Sequence, residues 1–467
     1  MKFYFFILRN APFLETIQTM KRNYLTVFLL TFLFVACGPN TDVFIPDPLF
    51  PEGIVSSNIS GHVVDESNQP IEGATVSLNQ VERTTDANGF FSYKNIQVDA
   101  QRTLLTVNKS GYFEGGRAII PTEDSNSQIK IKLLDKTIVG SFDGANGGII
   151  DLPQGVVLEV PSDAVLDQNN VGFAGEVQVA AHSLNPEKLD GLEKMPTDLK
   201  GKNTLGQDQL LESFGIFLFE WTDINEQKLS IVPGKKVTIS FPVSVDILAN
   251  APSTITLWHF DGANWQEDGT ATLVGNSYVA EVAKTGFWNC ARPHEYVSVK
   301  GILKDENNEL LSNMAFNVGI ENGGVMGFGF NEEDGTFVAN VPKNLASQIK
   351  ILEECNDMDY LANIGALSED ALVSNVKISN SLDFSRIQAT LLNCNNSNVQ
   401  NGYIILTVDT KTYFFPIAHG KFKGNINACD FPTATLVAYD VENQKQSEPL
   451  QIQIFANVDA GEINVCF

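Results

Sequence analysis

The sequence predicts an all-β protein made of tandem antiparallel β-sandwich domains after a signal peptide and a short tether. From residue 59 onward, short stretches of alternating polar and apolar residues are separated by turns rich in Gly, Asn, Asp and Pro. This pattern is typical of antiparallel strands. Apolar residues make up 43% of the chain and include 31 Phe, which is enough to form real cores. Helix signals are scarce, and residues 368–372 suggest one turn at most.

The N-terminal region carries the features of a secretory signal. A short basic stretch, Met20-Lys21-Arg22, precedes an apolar run from Tyr24 to Ala36, and the chain turns polar after Cys37. This order describes a signal peptide, and the run is short against the roughly 20 residues that span a bilayer. Phe34-Val35-Ala36-Cys37 resembles a bacterial lipobox. That resemblance implies cleavage before Cys37 and diacylation of its thiol, with acyl chains such as palmitate. The alternative is an ordinary signal that contains a cysteine.

We therefore assign residues 1–36 to the signal peptide and residues 37–58, which are rich in Pro, to an extended tether. Residues 1–19 have no role in this scheme, and our hypothesis is that translation starts at Met20. The expected location is the bacterial cell envelope, with the lipid on Cys37 holding the protein to the outer membrane as the preferred assignment and to the inner membrane as the alternative. Which face of that membrane the protein occupies stays open.

Charge excludes one class of partner. The chain holds 31 basic and 56 acidic residues, and removing residues 1–36, with four basic and one acidic residue, leaves a formal charge of −28. A strongly anionic surface repels nucleic acid and anionic lipid headgroups. We therefore expect no nucleic-acid partner.

Residues 59–136 resemble a known accessory domain. The segments that carry the likeness are Gly61–Asp65, Pro70–Val76 and Thr85–Phe91, which look like the carboxypeptidase regulatory-like (transthyretin-like) β-sandwich. The resemblance implies a domain that accompanies carboxypeptidases without being the peptidase. Asp86-Ala87-Asn88-Gly89 begins like a calcium loop but lacks the distal ligands, so we interpret it as a tight turn.

Three further sandwiches are predicted. The same pattern returns at 295–383, as a second regulatory-like domain, and in a divergent form at 384–467. Residues 137–294 form a larger domain whose opening, Gly147–Pro161, is similar to the β-sandwich of ankyrins and netrin receptors. That likeness implies protein contacts. Within it, residues 188–208 are predicted to be a long loop.

No catalytic motif or metal-ligand spacing is present around the five His residues, and no phosphate loop or nucleophile elbow occurs. We expect a non-catalytic protein without a metal or cofactor. The candidate disulfide residues are five cysteines, Cys290, Cys355, Cys394, Cys429 and Cys466. In an oxidising envelope they predict two disulfides of open connectivity and one spare thiol. The alternative is five buried free thiols.

Trp258 and Trp265 flank a predicted hairpin turn, Asp261–Asn264. We interpret both as core residues, with stacking on a sugar ligand as the alternative. Taken together, the sequence favours a membrane-anchored lipoprotein that acts in surface binding, adhesion or scaffolding, with a protein or polysaccharide as ligand. Two alternatives stay open: a carbohydrate-binding component of a glycan uptake system, and a hydrolase with its site in residues 137–294.

Overall fold

The structure is a computed structural model that describes residues 50, 52–123, 125–352, 360–380, 384–427 and 431–467. The predicted signal peptide and Cys37 lie outside these residues, as do Cys355 and Cys429. The described residues are almost entirely β-structure, which confirms the predicted fold class. Among them, no helix has the length and apolarity needed to cross a bilayer.

The first sandwich packs a three-stranded sheet, in the order β4-β1-β7, on a four-stranded sheet, in the order β3-β2-β5-β6. Strand β1 is antiparallel to β4 and parallel to β7, and its alternate residues point into a core that includes Ile59 and Val63. Its strands are β1 Ile54–Val64, β2 Thr75–Leu78, β3 Val81–Thr84, β4 Phe90–Asp99, β5 Thr103–Asn108, β6 Gly115–Ile119 and β7 Asn126–Lys132.

The second sandwich is the largest and is centred on β14, which is buried along most of its length and pairs with β12 on one side and β20 on the other. Its elements are β8 Ile138–Asp143, β9 Gly148–Asp151, β10 Val157–Val160, β11 Val165–Leu166, β12 Glu176–Leu184, helix α1 Leu189–Glu193, β13 Lys200–Lys202, β14 Asp208–Thr222, β15 Lys228–Ile231, β16 Val237–Pro242, β17 Thr254–Phe260, β18 Trp265–Val274, β19 Ser277–Val282 and β20 Gly286–His294. Two 3-10 turns, Pro153–Gly155 and Leu248–Asn250, complete it.

The third sandwich has one sheet in the order β24-β21-β27 and a second in which β22 pairs with β23 and β25, and β25 with β26. Strand β23 also touches β14 of the second sandwich, at Ser213 and Val325. The sequence predicted one helical turn at most over residues 368–372, and residues 371 and 372 begin β27. The strands are β21 Tyr296–Lys304, β22 Ala315–Gly319, β23 Val325–Phe330, β24 Thr336–Pro342, β25 Ser347–Ile351, β26 Tyr360–Ile364 and β27 Ala371–Lys377.

The fourth sandwich is an eight-stranded sheet that encloses its own core, which includes Leu391, Leu406 and Leu436. The chain ends on β35, which lies parallel to β28. The strands are β28 Phe384–Asn393, β29 Asn401–Val408, β30 Lys411–Ala418, β31 Lys421–Asn427, β32 Thr433–Asp440, β33 Lys445–Gln446, β34 Leu450–Gln453 and β35 Asn457–Val465.

Candidate binding site between the sandwiches

The two tryptophans of the predicted hairpin are core residues. Trp258 and Trp265 are both 0% exposed, and each indole N–H donates to a backbone carbonyl, of Ala291 at 3.1 Å and of Asp198 at 2.9 Å. A buried Trp with its N–H satisfied is a packing residue. The alternative of sugar stacking at Trp258 and Trp265 is therefore corrected: neither ring offers a face to a ligand.

The cysteines within the described residues separate into one isolated thiol and one pair. Cys290 is buried in β20 as a free thiol, and burial raises its pKa well above the ordinary value. Cys394 and Cys466 directly follow paired residues of β28 and β35. Both are free thiols rather than the predicted disulfide; the Cys394 thiol donates to the Val465 carbonyl at 3.7 Å, and the neighbouring Cys394 raises the pKa of Cys466. The structure thus brings together two of the five candidate disulfide residues and sets Cys290 apart.

Three potential metal ligands, Glu66, Asp135 and His182, converge where the first and second sandwiches meet. However, the Lys194 ammonium lies 3.1 Å from a Glu66 oxygen, and His182 Nε2 already pairs with the Asp135 backbone carbonyl at 2.8 Å. The lysine charge occupies the place that a cation would take. This cluster therefore acts as an ion-paired contact between sandwiches.

The first sandwich docks on helix α1 of the second through buried ion pairs. Glu193 and Lys132 each have side chains only 3% exposed, with 3.2 Å between the Glu193 and Lys132 charged atoms. Lys130 approaches the other Glu193 oxygen at 2.8 Å, and Lys132 also contacts Asp190 at 2.7 Å. Arg117 donates to the carbonyls of Leu192 and Glu193. The segment 188–208, predicted to be a loop, therefore contains helix α1. The Arg117 guanidinium lies at the C-terminal end of this helix, where the helix dipole favours a positive charge.

These contacts set the protonation of the network. Burial is the largest influence on the Lys132 ammonium and lowers its pKa, but the combined attraction of Glu193 and Asp190 outweighs burial, so its pKa is raised. Burial likewise opposes ionisation of Asp190, but Lys132 and Lys194 lower its pKa. The stability contributed by Lys132 is lost only as pH rises through its raised pKa, and that of Asp190 only as pH falls through its lowered pKa. Lys132 and Asp190 both stay charged between those limits.

The fourth sandwich folds back onto the first. Tyr403 stacks on Phe90 with ring centroids 4.1 Å apart, and its hydroxyl donates to Asp86 at 2.8 Å while accepting from Asn88 at 2.8 Å. The turn interpreted from Asp86–Gly89 is thus a docking turn in which Asp86 Oδ1 accepts backbone N–H groups. These contacts hold the first and fourth sandwiches in one arrangement.

The third and fourth sandwiches also meet through paired polar groups. Ser312 N–H donates to the Asn425 side-chain oxygen at 2.8 Å, and Asn425 N–H donates to the Ser312 carbonyl at 3.0 Å. Asn313 Nδ2 donates to the Lys423 carbonyl at 2.7 Å. Arg386 bridges Glu309 and the Leu310 carbonyl. Each sandwich therefore contacts a neighbour through specific polar contacts.

A cavity of about 380 Å³ lies where the first, third and fourth sandwiches and helix α1 come together. Its walls carry mostly amide, aromatic and apolar groups, and include His62, Gln128, Phe330, Phe414 and Asn425. A smaller space of about 110 Å³ shares Gln128, Lys130 and Phe330 with it. None of these residues stands out in the sequence as a site, because each lies on an ordinary alternating strand.

Two carboxyl groups near the interfaces, those of Glu332 and Glu187, have raised pKa values. Burial, reinforced by the charge of Asp334, raises the pKa of Glu332 to about 7, and Glu332 lines the smaller cavity. Burial also raises the pKa of Glu187 to about 7, against the attraction of Lys350. One Glu187 oxygen is buried with no hydrogen-bond partner among the described residues. Both groups are partly neutral near neutral pH.

Residues 58–134 match the carboxypeptidase regulatory-like domain family, in agreement with the resemblance noted in the sequence. The chain is 24% identical over 187 residues to cartilage intermediate layer protein 1 of Homo sapiens, covering 38% of this chain and 16% of that protein. It thus spans a small part of that relative's length.

Similar solved structures include the shaft pilin SpaA of Lactobacillus rhamnosus GG, with 9% identity, coverage of 37% of this chain and 98% of the pilin, and a TM-score of 0.17. BcpA, the major pilin of Bacillus cereus, has 11% identity, coverage of 88% of this chain and 100% of the pilin, and a TM-score of 0.14. TM-scores of this size support no inference about function. None of these similarities indicates a catalytic family, and the one that identifies part of this chain is the carboxypeptidase regulatory-like domain at residues 58–134.

Proposed function

We propose that the protein is a non-catalytic envelope lipoprotein, anchored through Cys37, that acts as a surface binding, adhesion or scaffold protein. The anchor rests on the Phe34-Val35-Ala36-Cys37 pattern after an apolar run. Residues 54–58 of the predicted tether belong to β1, so residues 37–53 would hold the sandwiches away from the membrane.

The observation that carries the proposal is the match of residues 58–134 to an accessory β-sandwich domain that is locked to its neighbours. Buried ion pairs fix it on helix α1, and Tyr403 and Gln128 fix it to the fourth sandwich. Rigidly joined sandwiches present a binding surface in a defined geometry, as a scaffold or adhesion protein requires.

Metabolic labelling with an acyl-chain probe tests the anchor. Wild type should incorporate the label, Cys37→Ala should not, and Cys394→Ala, which removes an exposed thiol elsewhere, should label like wild type. Protease treatment of intact cells then tests surface exposure, and cleavage of the wild type supports a surface role. Label that persists in Cys37→Ala, or a wild type without label, would refute the anchor. A labelled protein that resists external protease would refute the surface role alone.

A further inference from the structure

We propose that the 380 Å³ cavity between the first, third and fourth sandwiches binds an uncharged sugar residue, held by His62, Gln128 and Asn425. This inference deepens the proposed function by naming a ligand class, and it rests on that function for access to extracellular glycans. The cavity itself is independent of the lipid anchor, so the two proposals can fail separately.

The first argument is the polar character of the cavity wall. His62 is 3% exposed and Asn425 is 4% exposed, and both line the cavity together with Gln128. Gln128 Oε1 is a buried atom with no hydrogen-bond partner within the described part of the chain. Buried polar groups in proteins are nearly always satisfied. A polar occupant of the cavity would satisfy this atom.

The second argument is the charge balance of the wall, which favours a neutral occupant. Lys130 points its ammonium at Glu193, at 2.8 Å, and at the Asn68 side-chain oxygen, at 3.2 Å. The opposite Glu193 oxygen is paired with Lys132, and the third charged residue of the wall, Lys411, also has an interaction partner. Burial, with a contribution from Lys130, lowers the pKa of His62 well below its usual value, so the imidazole is neutral at neutral pH. A neutral imidazole offers one donor and one acceptor.

The third argument is size and shape. Ligand pockets span about 300–1,000 Å³ and combine apolar walls with a few placed polar groups. At about 380 Å³, this cavity lies at the small end of that range and suits one or two sugar rings. Phe330 and Phe414 supply aromatic surface for the C–H face of a pyranose, while the amides and imidazole suit its hydroxyl edge.

The polar wall groups are held in place by contacts between sandwiches. Gln128 Nε2 donates to the Phe414 carbonyl at 2.5 Å, the Asn425 oxygen accepts from Ser312 N–H, and the His62 ring stacks on Phe414 with centroids 3.7 Å apart. Groups fixed before binding lose less entropy on binding. The site is therefore preorganised for its ligand.

The test uses the purified chain from residue 38 onward, which keeps every described residue, and saturation-transfer NMR. The probes are the methyl glycosides of glucose, galactose, mannose and N-acetylglucosamine, with acetate and phosphate as anionic comparators. We expect saturation transfer to at least one sugar. The variant His62→Phe keeps the stack on Phe414 but removes the ring nitrogens. It should weaken binding about tenfold, as expected for one lost hydrogen bond to a buried group.

His259→Phe is the matched control, because His259 also packs on an aromatic ring, that of Trp288, but lies away from the cavity. Gln69→Trp provides a second variant at an exposed position on the cavity rim, and it should block entry without disturbing the core. Sugar binding that is about tenfold weaker in His62→Phe, blocked in Gln69→Trp and unchanged in His259→Phe supports the proposal. It is overturned if no sugar shows transfer, which means a cavity filled by water only, if acetate or phosphate alone bind, or if either cavity variant binds sugar like the wild type.

Discussion

Removal of the Glu193 carboxylate should destabilise the protein far more than removal of an exposed carboxylate. Glu193 is 2% exposed and lies 2.8 Å from the Lys130 ammonium and 3.2 Å from that of Lys132. Truncation of one member of a buried ion pair costs about 3–5 kcal/mol, because the partner charge stays buried. Lys132 keeps Asp190 and Lys130 keeps Asn68 in Glu193→Ala. We therefore expect a loss at the low end, about 3 kcal/mol.

The control is Glu281→Ala, which removes a similar pair from the surface. The Lys236–Glu281 distance is 3.3 Å, but the two side chains are 58% and 65% exposed. Exposed pairs contribute about 0–1 kcal/mol, so burial rather than distance should separate the two variants. Glu193→Gln, which keeps the volume and removes the charge, should lie between them.

Urea unfolding at neutral pH, followed by circular dichroism, measures the loss for each variant. A double-mutant cycle with Lys132→Met isolates the coupling between Lys132 and Glu193. The reasoning is refuted if Glu193→Ala and Glu281→Ala destabilise equally within about 0.5 kcal/mol, or if the cycle gives no coupling.

Three further outcomes follow from the structure. Under oxidising conditions Cys394 and Cys466 should form a disulfide by exchange with a protein disulfide, which is thereby reduced to a dithiol. The tryptic peptides of the two residues should then co-migrate until a reductant is added. The control variant Cys290→Ser should give the same result. Separate peptides after oxidation would contradict the assigned pair. Gly61→Ala should lower the free energy of unfolding by about 1–3 kcal/mol through overpacking, because the new Cβ would lie 2.2 Å from the Ile129 carbonyl oxygen. The control Gly172→Ala meets nothing within 4 Å and should be near neutral. Equal unfolding midpoints for the two variants would show that β1 and β7 can separate freely. Glu332 has its pKa raised to about 7, so its contribution to stability should fall as pH rises from about 4.5 to about 7. The stability profiles of wild type and Glu332→Gln should therefore diverge by about 1–3 kcal/mol over this range, and parallel profiles would rule out this contribution.

The strands were predictable from the sequence because their signal is local. In β1 and β21, for example, buried and more exposed residues alternate with a period of two. The turn residues between successive strands set the strand ends. Burial of Trp258 and Trp265 was the preferred interpretation for the same kind of reason, since a large ring usually goes inside. Helix α1 escaped prediction because it has only five residues, one of them Gly191, and no side-chain cap.

The cavity was not predictable, because its walls come from segments far apart in sequence. His62, Gln128 and Asn425 each occupy one position of an ordinary strand, and no motif links them. One signal was present in the sequence: β14 has an almost continuous apolar run rather than an alternating one. Such a run indicates a strand covered on both faces, and it could have predicted that neighbouring sandwiches pack against the second one.

The buried imidazole of His62 is expected to lower the stability of the folded protein at acidic pH. Protonated His62 is disfavoured in the folded protein, since burial lowers its pKa, whereas the unfolded chain protonates it near pH 6.5. The contribution of His62 to the stability of the wild type should therefore fall as pH drops below about 6.5. His62→Phe removes that loss, so it should unfold at higher urea than the wild type at pH 5 while binding sugar more weakly. A variant that gained stability and lost binding would show that His62 is kept for a ligand at the expense of the fold. If His62→Phe were instead less stable at every pH, the imidazole would have a structural partner, and the basis for placing a ligand beside it would be lost.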